Sequence, residues 1–383
     1  MSISKKIFMF LFFVMAAMSV NCVSYLAVGR GETGVDGKID ILKVENRKFD
    51  KLKKTLELGS SQNPTKLVFS PDGKYLACII IKKTVSFVSI KEVFLVVYQV
   101  GSWKKTKSVP LGEIEVKSIA FDPKSNLFAC SFVQAREGNI HVWKTKNWDT
   151  IKKHKVSGED YSKKIGFTKS GVLVGLNSDD AIVSYKKISM KKPSLTQNRY
   201  WKAASGKITS IALSPKRNDF IGLLENSEAC SIKNFKTASW KFTEKDIKSG
   251  MKSIITIELS PSGKYIGYEK KKDVQKYDLQ IYDRQFKKLI NKPPGSIGSI
   301  VSRQYTFDFE DKYFATMTHG AVEVYSIADG KLQYQYPSDH GPKFSAIAFS
   351  PEIKLPKEKK GKGFFTSISE GGLFEDLSRD DGQ

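Results

Sequence analysis

One phrase recurs along this chain: an alternating apolar stretch, a tight turn, then a second apolar stretch. It reads TKLVFSPDGKYLACI from residue 65, SIAFDPKSNLFACSF from 118, KIGFTKSGVLVGLN from 164 and SIALSPKRNDFIGLL from 210. It returns as TIELSPSGKYIGYE from 256, YTFDFEDKYFATMT from 305 and AIAFSPEI from 346. Anchored on the apolar residue before the turn, the copies fall at Phe69, Phe121, Phe167, Leu213, Leu259, Phe307 and Phe349, with successive spacings of 52, 46, 46, 46, 48 and 42. A period this narrow, repeated seven times, restricts the chain to architectures built from one supersecondary unit.

Each copy has a local cause. Leu67 and Phe69 alternate with Val68 and Ser70, which is a strand signal. Ser70-Pro71-Asp72-Gly73 makes a tight turn, because Pro presets φ and Gly supplies positive φ without a steric penalty. A second strand must then run back antiparallel. A third element follows as apolar, any, apolar, aromatic, polar: Ile140 to Lys144, Ile182 to Lys186, Leu279 to Asp283 and Val322 to Ser326. After a turn such as Ala328 to Lys331, a fourth strand runs from Leu332 to Tyr336. Four antiparallel strands per repeat form one blade, and blades set in a ring protect their own sheet edges. The fold class is therefore all-β, a β-propeller of seven four-stranded blades, with eight as the alternative count.

At these residues the chain resembles the WD40 repeat family. FSPDG at 69 to 73 matches that family's hairpin, Trp143 stands at the family's third-strand Trp, and His340 lies nine residues before Phe349, at the spacing of the family's histidine. The departures are also clear. Asp339 replaces the family's Gly beside that histidine, and Tyr282-Asp283 is the nearest approach to a Trp-Asp pair. The resemblance, which spans about residues 25 to 377, implies a diverged WD40-like propeller with an interaction role. Bacterial periplasmic propellers with the same SPDG hairpin resemble it equally well, and a shared fold does not carry a shared function.

The two ends of the chain read as parts of one blade. Tyr25 to Gly29, Lys38 to Val44 and Lys53 to Leu58 have the pattern of second, third and fourth strands that lack a first. Phe344 to Ser350 is a first strand without its blade. Pairing them closes seven blades like a clasp. A surplus pair at Gly363 to Leu377 would either pack outside the ring or begin an eighth blade, ahead of an acidic tail from about residue 376.

Lys5 and Lys6 precede an uncharged stretch from Ile7 to Val20, the layout of an export signal over residues 1–21. That stretch is shorter than the ~20 apolar residues of a membrane span, although extending it to Val28 would reach that length. Cys22 follows directly. Met18-Ser19-Val20-Asn21-Cys22 resembles a relaxed bacterial lipobox, in which the Cys is acylated and becomes the mature N-terminus. Residues 22–383 would then form a single propeller domain, lipid-anchored at Cys22 in the cell envelope. An ordinary cleaved signal, leaving a soluble periplasmic or secreted protein, is the alternative.

Charge bears on partners. The chain has 63 Lys and Arg against 40 Asp and Glu, a formal net charge of +23, mostly from Lys. Scattered Lys gives a diffuse positive field rather than the bidentate grip of Arg clusters. The expected partner is a protein, an anionic surface or a glycan, and nucleic acid is disfavoured. Arg199-Tyr200-Trp201-Lys202 mixes aromatic and basic groups suited to such contacts, while Trp201 also fits a blade-packing role. On the face bearing the second-to-third and fourth-to-first connections, Ile79 to Glu92 reads as an enlarged connection that projects as a long hairpin. Asn291 to Gly295 and Tyr336 to Pro342 read as stiff loops, and KLPKEKKGK from Lys354 as a solvated basic excursion. Lys66, Lys117, Lys164 and Lys207 stand at or near first-strand starts, where they could ring one channel mouth or simply meet solvent.

Catalytic signatures are missing. The four histidines, His141, His154, His319 and His340, make no His–x–His pair, and there is no phosphate loop, nucleophile elbow or HExxH. Cys78, Cys130 and Cys230 lack metal-ligand spacing, and the first two occupy slots that demand small core residues. No catalytic residue, metal or cofactor is expected. The leading reading is a non-catalytic envelope lipoprotein that scaffolds protein or polyanion contacts. The alternatives are a soluble periplasmic propeller enzyme or small-ligand binder, and an intracellular WD40 scaffold.

Overall fold

The computed structural model of the protein describes residues 22–31, 36–45, 48–84, 90–155, 163–185, 188, 195, 197–203, 206–226, 230–236, 242–251, 254–273, 276–285, 288–291, 305–317, 321–337 and 344–354. The described strands follow the four-strand period. β1 (Cys22–Arg30), β2 (Gly37–Glu45) and β3 (Lys48–Gly59) come first. Four strands then form each blade in turn: β4 (Gln62–Phe69), β5 (Tyr75–Thr84), β6 (Ile90–Gln99) and β7 (Lys105–Gly112); β8 (Glu115–Phe121), β9 (Leu127–Gln134), β10 (Glu137–Lys144) and β11 (Thr150–Lys155). The next two blades are β12 (Lys164–Phe167), β13 (Leu173–Leu176), β14 (Ile182–Tyr185) and β15 (Gln197–Trp201), then β16 (Lys207–Leu213), β17 (Asp219–Glu225), β18 (Cys230–Lys236) and β19 (Phe242–Met251). The last two are β20 (Ile254–Leu259), β21 (Tyr265–Asp273), β22 (Lys276–Asp283) and β23 (Lys288–Asn291), then β24 (Tyr305–Phe307), β25 (Tyr313–Met317), β26 (Ala321–Ser326) and β27 (Leu332–Pro337). Near the end β28 (Phe344–Phe349) pairs antiparallel with β1, so the first blade runs β28-β1-β2-β3 from the inside outwards, and the two-residue β29 (Ile353–Lys354) also pairs with β1.

The ring is thus a seven-bladed WD40-like propeller, clasped by pairing of its two ends: Leu26 with Phe349, Ala27 with Ala348 and Val28 with Ile347. The blade count of seven holds among the described residues. The surplus pair at Gly363 to Leu377, the acidic tail, the basic excursion beyond Lys354 and residues 1–21 lie outside them.

Packing explains why the middle strands read as continuous apolar runs. Each blade is buried on both faces, so both sets of alternating residues face a neighbour. In β9, Phe128, Cys130 and Phe132 pack towards the preceding blade, while Leu127 and Ala129 pack towards the following one. The seven apolar clusters correspond to the seven blade–blade interfaces, and the last, containing Leu26, Val28, Tyr313, Val324 and Phe349, closes the ring. Full burial of each large apolar side chain is worth about 1.5–3 kcal/mol. The outermost strands do the opposite. β7 exposes alternate residues, carries Lys105 and Lys107, and contains Pro110, all of which discourage edge-to-edge pairing.

The enlarged region from Ile79 to Glu92 is a long hairpin: β5 runs to Thr84, β6 starts at Ile90, and the register is unbroken from Ile79↔Leu95 to Thr84↔Ile90. The cause is burial, since Ile80 faces one interface and Ile79 the next.

Candidate functional site

The propeller has two unlike faces. One is built from the first-to-second strand turns, and its chemistry repeats. The residue after each anchor is a small hydroxyl or carboxylate, namely Ser70, Asp122, Thr168, Ser214, Ser260, Asp308 and Ser350, and all seven are buried. In most blades it closes the hairpin. Tyr75 N–H donates to Ser70 Oγ at 2.9 Å, Leu127 N–H to Asp122 Oδ1 at 2.6 Å, Tyr265 N–H to Ser260 Oγ at 3.1 Å and Tyr313 N–H to Asp308 Oδ1 at 2.6 Å. Gly73 takes φ +71° in the fourth turn position, where Ser125 and Asp311 also adopt left-handed backbone. Those two side chains compensate by bonding the preceding blade: Asp72 N–H donates to Ser125 Oγ at 2.9 Å, and Ser262 N–H to Asp311 Oδ1 at 3.4 Å. Ser170 N–H donates likewise to Asn218 Oδ1 at 2.8 Å. This face is laced together blade to blade.

The clasped blade uses the same device without a hairpin. Tyr25 N–H donates to Ser350 Oγ at 2.7 Å, and Ser350 N–H donates to the Tyr25 carbonyl at 2.8 Å. A bond elsewhere made five residues apart here joins two strands 325 positions apart. Tyr25 lies three residues after Cys22, and Val23 between them is fully buried, so Cys22 opens the first strand of the ring.

The first strands enclose a channel of about 530 Å³, lined by residues from all seven inner strands. Its two ends differ in chemistry. Pro71, Pro215, Pro261 and Phe309 lie at the turn-face end, whereas Lys66, Lys117, Lys163 and Lys164 lie further back towards the strand starts; Glu258, next to the anchor Leu259, is reached by Lys164. A β-bulge recurs near those starts, between Pro64 and Lys66, Val116 and Ser118, Ile208 and Ser210, and Ile254 and Thr256. Bulges re-aim side chains, and Lys117 is the extra residue of one. Most of these cations are paired. Lys117 bridges Glu115 at 2.6 Å, Lys163 bridges Asp180 at 2.5 Å, and Lys164 bridges Glu258 at 2.6 Å while also donating to the Ile257 carbonyl. Lys207 meets Glu225 at 3.6 Å. Lys66 has no carboxylate within ion-pair reach among the described residues, and the more distant Glu115 offsets its desolvation only in part. Burial pushes its ammonium below the ordinary lysine value, and Lys164 and Lys117 push the same way.

The Arg199-Tyr200-Trp201-Lys202 segment falls on outer strand β15 and its exit. Strand alternation separates its members: Tyr200 is exposed, whereas Trp201 packs edge-on against Phe235 of the next blade with ring centroids 5.5 Å apart. Lys202 is exposed. Trp143 is buried against Phe128, the anchors are buried or half-buried, and His141 sits edge-on to Phe132. His154 lies on β11, while His319, His340 and the loops at residues 292–304 and 338–343 fall outside the described residues. Cys78, Cys130 and Cys230 are buried, and burial raises each thiol, that of Cys130 to about 12. Among the described residues no group of three His, Cys, Asp or Glu side chains could hold a metal ion.

Sequence reasoning overlooked Trp103 and Trp148. Each occupies a left-handed position, φ +56° and +59°, in a third-to-fourth strand turn, and reaches back across a blade interface onto Tyr25 and Tyr75 respectively. Gly330 fills the equivalent place in a later blade. The available signal was the short turn phrase Ser102-Trp103-Lys104 beside Asn147-Trp148-Asp149.

No known protein-family model matches the chain, and no curated protein matches it. Solved structures do. Hydrazine synthase of Kuenenia stuttgartiensis is similar at 13% identity and a TM-score of 0.55, covering 74% of this chain and 89% of that one. The β-propeller domain of Myceliophteria thermophila Cps50 (Swd1) is similar at 12% identity and 0.52, covering 74% and 90%. TolB from Acinetobacter baumannii is similar at 12% identity and 0.50, covering 88% and 70%. Likenesses this distant share the fold alone, and a shared fold does not carry a shared function.

Proposed function

We propose that this protein is a non-catalytic, membrane-anchored propeller lipoprotein that acts as an interaction scaffold for a protein or polyanion partner in the cell envelope. A propeller fold suits an interaction role. The observation that carries the anchoring half is the position of Cys22, which follows an uncharged stretch from Ile7 to Val20 and immediately precedes the buried Val23 of β1. An acyl group there would seat the ring close to the bilayer without a flexible tether, and the two or more chains of a bacterial lipoprotein suffice for stable attachment. The contact half is supported by the difference between faces. The turn face is committed to hydrogen bonds between blades, which leaves the opposite face, with its second-to-third and fourth-to-first connections, for partners. The excess of Lys, including the exposed Lys202 beside Tyr200, favours anionic or acidic surfaces.

The test is metabolic labelling with an alkyne fatty acid in a bacterial host, followed by mass analysis of the mature N-terminal peptide. Expected are a label on the wild-type protein, a mature chain that starts at an acylated Cys22, and loss of both label and membrane fractionation in Cys22→Ser. An unlabelled chain, or one with an intact Asn21–Cys22 bond, would contradict the proposal.

A further inference from the structure

The geometry points to a small-anion site inside the channel: we infer that Lys66, with Lys117 and Lys164 beside it, binds a compact organic or inorganic polyanion that presents two or more phosphate or carboxylate groups. This goes beyond the scaffold reading and does not depend on membrane attachment.

Three observations converge. First, the cavity of about 530 Å³ falls within the ~300–1,000 Å³ common for small-ligand sites. Second, its lining is asymmetric, with prolines and Phe309 at one end and ammonium groups at the other, so a ligand with an anionic head would enter one way round. Third, the cations are unequally satisfied. Lys117 and Lys164 already have Glu115 and Glu258, and Lys163 has Asp180. Lys66 has no carboxylate within ion-pair distance among the described residues, and the charge of Glu115, already bridged to Lys117, offsets its desolvation only in part.

Desolvating an ammonium without a partner is costly. A fold that holds such a group beside two more cations keeps an electrostatic well whose depth increases as water is excluded. An arriving dianion would pair with Lys66 at once and share Lys117 and Lys164 with their glutamates. Three ammonium groups from three adjacent inner strands, β4, β8 and β12, would be bridged by one ligand. Lys66 is a point donor with three N–H groups, suited to phosphate or carboxylate oxygens without a required plane.

Pyrophosphate and citrate are the probes, each titrated calorimetrically into the full-length protein at an ionic strength of about 10 mM, where screening is weakest. Expected is saturable 1:1 binding of at least one probe, weakened tenfold or more in Lys66→Met and unchanged in Lys105→Met on outer strand β7. Lys66→Met removes a half-buried charge that has no ion-pair partner among the described residues, so it should melt no lower than wild type. A second readout needs no variant: the bound probe should protect Lys66, but not Lys105, from acetylation by acetic anhydride, read by peptide mass. The inference is overturned if neither probe binds saturably up to about 10 mM. It is also overturned if both variants weaken binding equally, as a diffuse field would require, or if Lys66 acetylation is indifferent to the probe.

Discussion

Replacing Ser350 by Ala isolates the hydrogen bond that closes the ring. Ser350 Oγ accepts from the Tyr25 N–H at 2.7 Å, and both residues are buried. The substitution leaves a backbone donor without its acceptor in a site water does not reach, which costs about 1–3 kcal/mol. Taking about 2 kcal/mol and an unfolding entropy of about 2.1 cal/mol/K per residue, a domain of this length should lose roughly 3 °C in Tm. Ser70→Ala removes the equivalent bond to Tyr75 at 2.9 Å, with a similar loss in Tm. The two variants part company in where they open. In Ser70→Ala the two strands remain joined by a short turn, so faster amide exchange should stay near residues 70–76. In Ser350→Ala the partners are held only by packing and pairing, so exchange should accelerate along β1 from Leu26 to Gly29 and along β28. Hydrogen exchange with peptide-level mass readout distinguishes these patterns. Wild-type protection of β1 in Ser350→Ala would refute the reasoning, because the clasp would then not depend on its turn-face bond.

Asp308 supplies a pH test. Burial raises its carboxyl to about 6, against backbone N–H bonds from Tyr313, Lys312 and Glu310 that pull the other way. A carboxyl raised on folding adds stability that is present below its unfolded value and lost as pH rises through the folded one. Wild type should therefore gain stability on going from pH 7 to pH 4 relative to Asp308→Ser, which keeps the hairpin acceptor that Ser70 and Ser260 provide elsewhere. Thermal melts across that window check it, and parallel pH profiles would count against it. Trp148 gives a packing test: Trp148→Ala should cost about 3–5 kcal/mol. Trp148→Gly should be milder by about 1 kcal/mol, since the site has φ +59° and glycine adopts it freely. Urea melts that rank the two variants the other way would refute the strained-backbone account.

The legible parts of this fold were those written by repetition. Seven anchors with one turn phrase specify the first two strands of every blade, and Tyr25 to Gly29 with Phe344 to Ser350 reveal the clasp because each lacks what the other supplies. What escaped had causes that a period cannot express. The long hairpin between Ile79 and Glu92 was visible as extra length, but not how far its strands pair, which depends on both faces of the blade being buried. Trp103 and Trp148 escaped because a bulky residue at positive φ contradicts its own preference and is held there only by Tyr25 and Tyr75 across the interface. The lysines at strand starts were visible as a set, but not their inequality. Which of them finds a carboxylate depends on bulges and on neighbours as distant as Lys164 and Glu258, 94 positions apart.

The clasp is the central claim, since it fixes the blade count and places Cys22 at the start of β1. Ala27 and Ala348 are paired across β1 and β28 and are both buried. Paired residues on adjacent strands lie at about 4.5–5.5 Å between Cα atoms, within the 4.4–6.8 Å typical of a disulfide. Ala27→Cys/Ala348→Cys should cross-link on mild oxidation, migrate faster than its reduced form on denaturing gels without reductant, and melt higher than the reduced protein. A double variant that folds yet stays uncross-linked, or that links only between molecules, would contradict a seven-bladed ring closed by its own two ends.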